Sequence, residues 1–291
     1  MSEKKQVSAA ADFVAGNMSG MAQVIVGQPI DTIKVRLQLD HTRFNGAWDC
    51  AAQTIRKEGF FALYKGMASP LVGIGAVNAV LFAANSSLKK AMQAYPGQTL
   101  TIGQIALAGA GAGIVNSALA SPVELLKIKL QAQYSTEGAT QQFKGPIDCA
   151  RQLIRNDGFT ALFRGMYVTI LREIPAYAGF YSGYEIMKRY LTQGQEGDAT
   201  ILQLMASGSV GGMSYWLASY PLDVVKSVVQ NQNGPLPRGL YVTRVMKEIV
   251  AREGTRGLFR GLAPAVVRSI PAAGATFTTY ELCMRTFSSW S

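Results

Sequence analysis

Apolar stretches long enough to cross a membrane recur in pairs along the chain, each pair separated by a polar link. One set runs from Ala10 to Leu39, Ile102 to Gln133 and Ile201 to Gln230; the second runs from Ser69 to Ala94, Val168 to Thr192 and Pro264 to Phe287. At a rise of ~1.5 Å per residue, each can cross a hydrocarbon layer ~30 Å thick. The pattern therefore predicts an all-α membrane protein with six transmembrane helices. Within each pair the link (Phe44 to Lys57, Phe143 to Asn156 and Leu240 to Arg252) is amphipathic, with Trp48 and Ile55 on the apolar face of the first. Such segments are expected to lie in the interface rather than span it.

The pairs are copies of one unit. Pro29-Ile30-Asp31-Thr32-Ile33-Lys34, with Gln38 four residues on, recurs as Pro122-Val123-Glu124-Leu125-Leu126-Lys127 with Gln131, and as Pro221-Leu222-Asp223-Val224-Val225-Lys226 with Gln230. The intervals are 93 and 99 residues. A second block follows each first one: Glu58-Gly59 leads to Tyr64-Lys65-Gly66, Asp157-Gly158 to Phe163-Arg164-Gly165, and Glu253-Gly254 to Phe259-Arg260-Gly261. Ordered recurrence of both blocks marks duplication of a structural unit, and places three repeats at 1–98, 99–197 and 198–291. Gly16 and Gly20, Gly109 and Gly113, and Gly208 and Gly212 give each first helix a GxxxG pair, which puts two small residues on one face and permits close helix packing.

Composition sharpens this picture. The chain is 48% hydrophobic and 16% charged with 30 glycines, too many for a soluble helical core but useful where helices pack in lipid. Its net charge of +10 is not gathered into an arm or stripe, and no nucleic-acid recognition spacing accompanies it. Anionic lipid headgroups and negatively charged metabolites are the better partners for that excess. Cys50, Cys149 and Cys283 form no CxxC motif, and His41 is the only histidine, so neither a metal site nor a cofactor is expected. The N-terminal MSEKKQVSAAADF lacks the apolar run of a signal peptide and is poor in basic residues for a cleaved transit peptide, so targeting information is expected within the mature chain. No P-loop, dinucleotide loop or nucleophile elbow supports an enzyme.

Charges inside the apolar stretches are the candidate chemistry. Arg172-Glu173 lies in TILREIPAYAG and Arg268 in AVVRSIPAAG. Exposed to lipid these residues would be costly, so they should face a cavity or polar partners. A substrate carboxylate could bind Arg172 or Arg268 and an ammonium group could bind Glu173; alternatively, Arg172 and Glu173 neutralise partners within the bundle. Pro29, Pro122 and Pro221 remove an amide donor in mid-helix and should bend their helices.

The PxDxxK or PxExxK block, followed by the acid-glycine and aromatic-basic-glycine block in three ordered copies, resembles the mitochondrial carrier family over nearly the whole chain. The resemblance implies a functional monomer in which a pseudo-threefold bundle of six tilted helices surrounds a substrate cavity in the mitochondrial inner membrane, its termini facing the intermembrane space and its links the matrix. It implies a matrix gate in which Asp31, Glu124 and Asp223 pair with Lys127, Lys226 and Lys34, braced by Gln38, Gln131 and Gln230. It implies a second, cytoplasmic gate of which Tyr184, Glu185 and Lys188 form the complete copy. Tyr280 and Glu281 lack their base because Met284 occupies its place, and Ser86 stands where an acid is expected before Lys89. Glu281 with Lys89 is then the one cyclic pair that retains both charges. Arg285, one residue displaced, would point about 100° away on an ideal helix.

The resemblance further implies cardiolipin bound by backbone amides near Gly59, Gly158 and Gly254 and near Gly66, Gly165 and Gly261. The alternative for these glycines is simple turn formation. Three substrate contact regions are implied: Gly73 to Asn78, including Val77; Arg172 with Glu173; and Arg268. Val77 stands where carriers of basic amino acids have a glutamate, and Asn78 cannot supply that charge. The substrate expected is a small amino acid or related amphoteric metabolite, exchanged by alternating access. A carnitine or acylcarnitine carrier and a membrane interaction protein that moves no solute are the alternatives.

Overall fold

The computed structural model describes residues 9–40, 43–95, 98–133, 142–193, 199–232 and 241–290; His41 and the N-terminal segment 1–8 lie outside them. The described residues form nine α-helices and no strands: α1 (Ala9–Leu39), α2 (Ala47–Glu58), α3 (Ala68–Met92), α4 (Ile102–Gln131), α5 (Pro146–Asp157), α6 (Met166–Leu191), α7 (Ile201–Asn231), α8 (Tyr241–Glu253) and α9 (Leu262–Trp290). The long ones are the six spans, and α2, α5 and α8 are the link helices. A 3₁₀ turn, not foreseen from periodicity, follows each link helix at Phe60–Tyr64, Phe159–Phe163 and Thr255–Phe259. α4 and α7 begin on matching capping boxes, Thr101 with Gln104 and Thr200 with Gln203, which satisfy the first amides of each helix.

The spans close a ring in the order α1, α3, α4, α6, α7, α9, with α1–α3 the thinnest seam. α1, α4 and α7 also touch one another. Among the described residues, α3, α6 and α9 make no comparable contacts with one another, so the bundle converges at the link-side end and stands open at the other. Close approach within the ring depends on glycine. A Cβ at Gly109 would lie 2.7 Å from the Tyr177 carbonyl of α6, and one at Gly212 would lie 2.9 Å from Ser269 of α9. Gly20, Gly113 and Gly208 similarly abut Ile74, Tyr177 and Phe277, whereas Gly16 faces open space and departs from the expected threefold role.

Large apolar side chains such as Val72, Leu107, Leu202, Leu217 and Val267 stand exposed around the outside, as lipid contact requires. By length and composition alone only 60–92 and 102–131 qualify as candidate spans among the described residues. The other long helices are diluted by polar residues that face inward. α2 buries Cys50 and Thr54 and leaves Trp48, 90% exposed, on its open side.

Candidate functional site

Where α1, α4 and α7 converge, each helix carries an acid two residues after its proline and a lysine three residues later. That spacing puts both groups on one face, turned inward by nearly one helical turn. The structure brings together Lys127 with Asp31 at 2.5 Å, Lys34 with Asp223 at 2.6 Å, and Lys226 with Glu124. These are the three partners that the resemblance implies. Each pair joins two repeats, so the network forms a floor across the link-side end.

The glutamines do not brace this floor equally. Gln38 donates to Asp223 at 2.9 Å, while Gln131 donates to Thr32 at 3.0 Å. Gln230 has no hydrogen-bond partner among the described residues. Among the described residues the expected threefold bracing is therefore realised at one pair only, because Thr32 diverts the Gln131 amide and that of Gln230 finds no partner. Lys34 is held additionally by the Trp216 ring, whose centroid is 3.9 Å from its ammonium nitrogen.

Arg172 of α6 and Arg268 of α9 come down onto this floor. Arg172, 2% exposed in its side chain, lies 2.8 Å from Glu124 and 2.8 Å from Glu173, with Asp223 at 4.0 Å; it also donates to the Tyr215 hydroxyl. Arg268 Nε lies 2.8 Å from Asp31 Oδ1, a close ion pair without hydrogen-bond alignment. Gly27 makes room for it, since a Cβ there would stand 2.6 Å from Arg268 Nε. Glu173, expected to receive a substrate ammonium, is instead only 2% exposed. It lies between α4 and α6 against Gly113 and holds Arg172. Lys34, Lys127, Lys226, Arg172 and Arg268 face Asp31, Glu124, Asp223 and Glu173, five cations against four acids, which leaves one positive charge in surplus.

The first contact region differs in kind. Gly73 occupies the place corresponding to Arg172 and Arg268, seven residues after the block glycine in each repeat. Its Cβ position is taken by Val123 of α4, 2.8 Å away, so Gly73 serves packing. Val77 and Asn78 are half-buried, and the Asn78 amide lies beside Gly20.

Below the floor a second layer of cations caps helix ends. Arg36, fully buried, pairs with Glu58 at 2.6 Å and donates to the Gln131 and Gln133 carbonyls, while Lys65 reaches Glu58 and the same Gln133 carbonyl. Lys129 and Arg164 converge on the Gln232 carbonyl, and Arg260 donates to the Phe44 carbonyl. At the ends of α4 and α7 these cations satisfy carbonyls left without helical partners, whereas Phe44 lies in the link before α2.

Among the described residues, the opposite end has no comparable floor. Glu185 pairs with Arg189 at 2.7 Å and Glu281 with Arg285 at 2.8 Å, each within its own helix. Lys89 approaches the Tyr181 ring at 5.3 Å instead of Glu281, and Tyr184 stacks on Phe180. The expected Glu281–Lys89 pair is thus not formed here, because α3, α6 and α9 stand apart and each acid takes the base one turn along. Lys188 and Tyr280 lie on the same outer turns, in α6 and α9.

The block glycines divide into two classes. The Gly59, Gly158 and Gly254 amides donate to the Ile55, Ile154 and Val250 carbonyls. Their own amides thus close α2, α5 and α8, while the same glycines stand at the starts of the 3₁₀ turns Phe60–Tyr64, Phe159–Phe163 and Thr255–Phe259. Gly66, Gly165 and Gly261 do stand at the starts of α3, α6 and α9, in the left-handed region with φ of 77°, 78° and 86°. There any side chain would be strained. The helix start missed from the sequence is Gly46 before α2: it faces Gly261 and Leu262 across a cleft of about 730 Å³ that also receives Arg256 and Arg260.

Three consecutive segments, residues 5–96, 98–195 and 197–290, match the family described as mitochondrial carrier protein. Among the most similar relatives, an Arabidopsis thaliana mitochondrial carnitine/acylcarnitine carrier-like protein is 40% identical over 93% of this chain and 96% of its own length. The mitochondrial glycine transporter YMC1 of Saccharomyces cerevisiae is 39% identical over 94% and 90%. The mitochondrial basic amino acids transporter of Rattus norvegicus is 37% identical over 94% and 89%.

Proposed function

The chain belongs to the mitochondrial carrier family, a multi-pass carrier of the mitochondrial inner membrane, and on that premise we propose that it exchanges small amino acids or related amphoteric metabolites by alternating access. The observation that carries this reading is the floor of five cations and four acids, with Arg268 seated on Asp31 and Arg172 on Glu124. A substrate carboxylate arriving from the open end competes with Asp31 for Arg268 and offsets the positive surplus. As Arg268 turns to the substrate, Asp31 keeps only Lys127, and the floor loses part of what holds it shut. Such binding lowers the barrier only to the extent that it is stronger in the occluded intermediate than in either open state.

Val77 and Asn78 leave the first contact region neutral, which favours one cationic centre over two. By the orientation that the family implies, the floor is the matrix gate and the open end faces the intermembrane space. The monomer is the functional unit, and cardiolipin phosphates are proposed to sit at helix starts such as those of the Gly46–Gly261 cleft. A carnitine-type substrate is the second reading, favoured by Tyr177 and Tyr215, whose paired rings, 5.5 Å apart beside Arg172, suit a quaternary ammonium.

Purified protein in cardiolipin-containing liposomes, loaded in turn with neutral and basic amino acids, carnitines, nucleotides and dicarboxylates, tests this function. Saturable exchange is expected for neutral amino acids. Exchange confined to carnitines would favour the second reading, exchange confined to nucleotides or dicarboxylates would reject both, and binding without exchange would mark a membrane interaction protein.

A further inference from the structure

The three acids of the floor are not equivalent. Asp31 receives Lys127 and Arg268 and is 9% exposed in its side chain; Asp223 receives Lys34 and Gln38, lies near Arg172, and is 5% exposed. Glu124 is 30% exposed. The repeat explains why. The arginine of the third repeat covers the acid of the first, and that of the second leans between its own acid and the acid of the third. The first repeat, which would cover Glu124, has Gly73 in place of an arginine. Val123 fills the space at Gly73 itself, but brings no charge to the carboxylate. Glu124 accepts one bond on each oxygen, from Lys226 and from Arg172, and a carboxylate has about four acceptor positions.

We propose that Glu124 determines substrate specificity by receiving the substrate's ammonium group, which takes the place of the arginine that the first repeat lacks. This rests on the amino-acid exchange proposed above and moves the ammonium contact from buried Glu173 to Glu124. A primary ammonium donates hydrogen bonds to the carboxylate; a trimethylated one has none to give, and a hydroxyl brings no charge.

The test uses the full chain in liposomes and measures inhibition constants for glycine, alanine and serine, each against its N-trimethyl and 2-hydroxy counterparts. The parent is expected to prefer each amino acid by about tenfold or more, as charge-assisted bonds do over neutral ones. Glu124→Gln should bring both ratios close to one. Asp31→Asn and Asp223→Asn should slow exchange of every ligand while leaving the ratios as in the parent. An unchanged ratio in Glu124→Gln, or an equal loss in Asp31→Asn, overturns the assignment while amino-acid exchange itself stands. Absence of exchange of all three amino acids by the parent overturns both. If Glu124→Gln does not fold, Glu124→Asp carries the same test: its shorter reach should lower the ratios several-fold without weakening the 2-hydroxy ligands, and unchanged ratios overturn the proposal.

Discussion

At the link-side end of the bundle every lysine of the floor reaches an acid on another repeat, whereas at the opposite end Glu185 and Glu281 pair with Arg189 and Arg285 on their own helices. Both ends are rich in charge, so charge count does not separate them. The difference lies in what each pair ties together. A pair between repeats resists their separation, while an i,i+4 pair stabilises one helix whatever its neighbours do. Burial reinforces the contrast: the side chains of Lys34 and Asp223 are 7% and 5% exposed, against 70% and 37% for Arg285 and Glu281. Closure is therefore a property of partner choice, set by where α1, α4 and α7 converge.

Arg172→Ala should break this contrast most severely. It leaves Glu173 buried without its guanidinium and strips Glu124 of one of two cations, and removal of one partner from a buried ionic cluster costs about 3–5 kcal/mol. Arg285→Ala removes an exposed i,i+4 pair worth ~0.3–0.5 kcal/mol. Thermal unfolding in detergent and exchange in liposomes should show a large loss in both for the first variant and little in either for the second. Equal losses would mean that the two ends are held by the same kind of interaction.

A smaller effect separates two glycines of α1. Gly27→Ala should push Arg268 off Asp31 and lower stability, partly offset by a gain of ~1 kcal/mol in helix propensity. Gly16→Ala meets nothing within 4 Å and should be neutral or slightly stabilising. Unfolding midpoints of the two variants measure the difference directly, and a lower exchange rate is expected for Gly27→Ala alone.

Strengthening the open end should have a weaker consequence. Ser86→Asp with Met284→Lys supplies the charges missing from two cyclic pairs, but Arg189 and Arg285 already occupy Glu185 and Glu281, and exposed pairs are worth only ~0–1 kcal/mol. Accessibility labelling of cavity positions should shift toward the state open at the link side, with slower exchange. An unchanged labelling pattern would show that cross-helix charge does not set the balance at this end.

The six spans were legible from the paired apolar stretches of three repeats, and the lysine partners from the cyclic pairing that the family resemblance implies. Hydropathy alone would have found fewer, since α1, α6, α7 and α9 carry inward-facing polar residues. Side chains with long reach were not legible. Nothing in TILREIPAYAG says that Arg172 turns down to Glu124, or that Glu173 follows it into the α4–α6 interface. The glutamines failed for a local reason, Thr32 having no polar counterpart at Leu125 or Val224. The acid-glycine blocks both close α2, α5 and α8 and open the 3₁₀ turns that follow, because a positive-φ glycine ends one helix and turns into the next. Trp216 and Tyr215, which hold Lys34 and Arg172, occur in one repeat only and so lay outside the pattern that revealed everything else.

The smallest predicted change, a chemical rather than an energetic one, compares the two ends through their cysteines. Cys50 and Cys149 occupy matching places in α2 and α5 at the closed end, with no exposed surface, and burial pushes each thiol up to about 11. Cys283 lies near the end of α9, at the open end, and is partly exposed. Maleimide needs a thiolate within reach, so at neutral pH Cys283 should label and the other two should not until the protein unfolds. The same raised values give stability a pH dependence of known sign. The folded state holds these thiols protonated, so their contribution is complete below the unfolded value near 9.0 and is lost as pH climbs from there toward about 11. Cys50→Ser with Cys149→Ser should flatten that loss between pH 9 and 11, whereas Cys283→Ser should leave it unchanged. Rapid labelling of Cys50 or Cys149 in the folded protein at neutral pH would mean that the link-side end opens far more often than its interlocked floor implies.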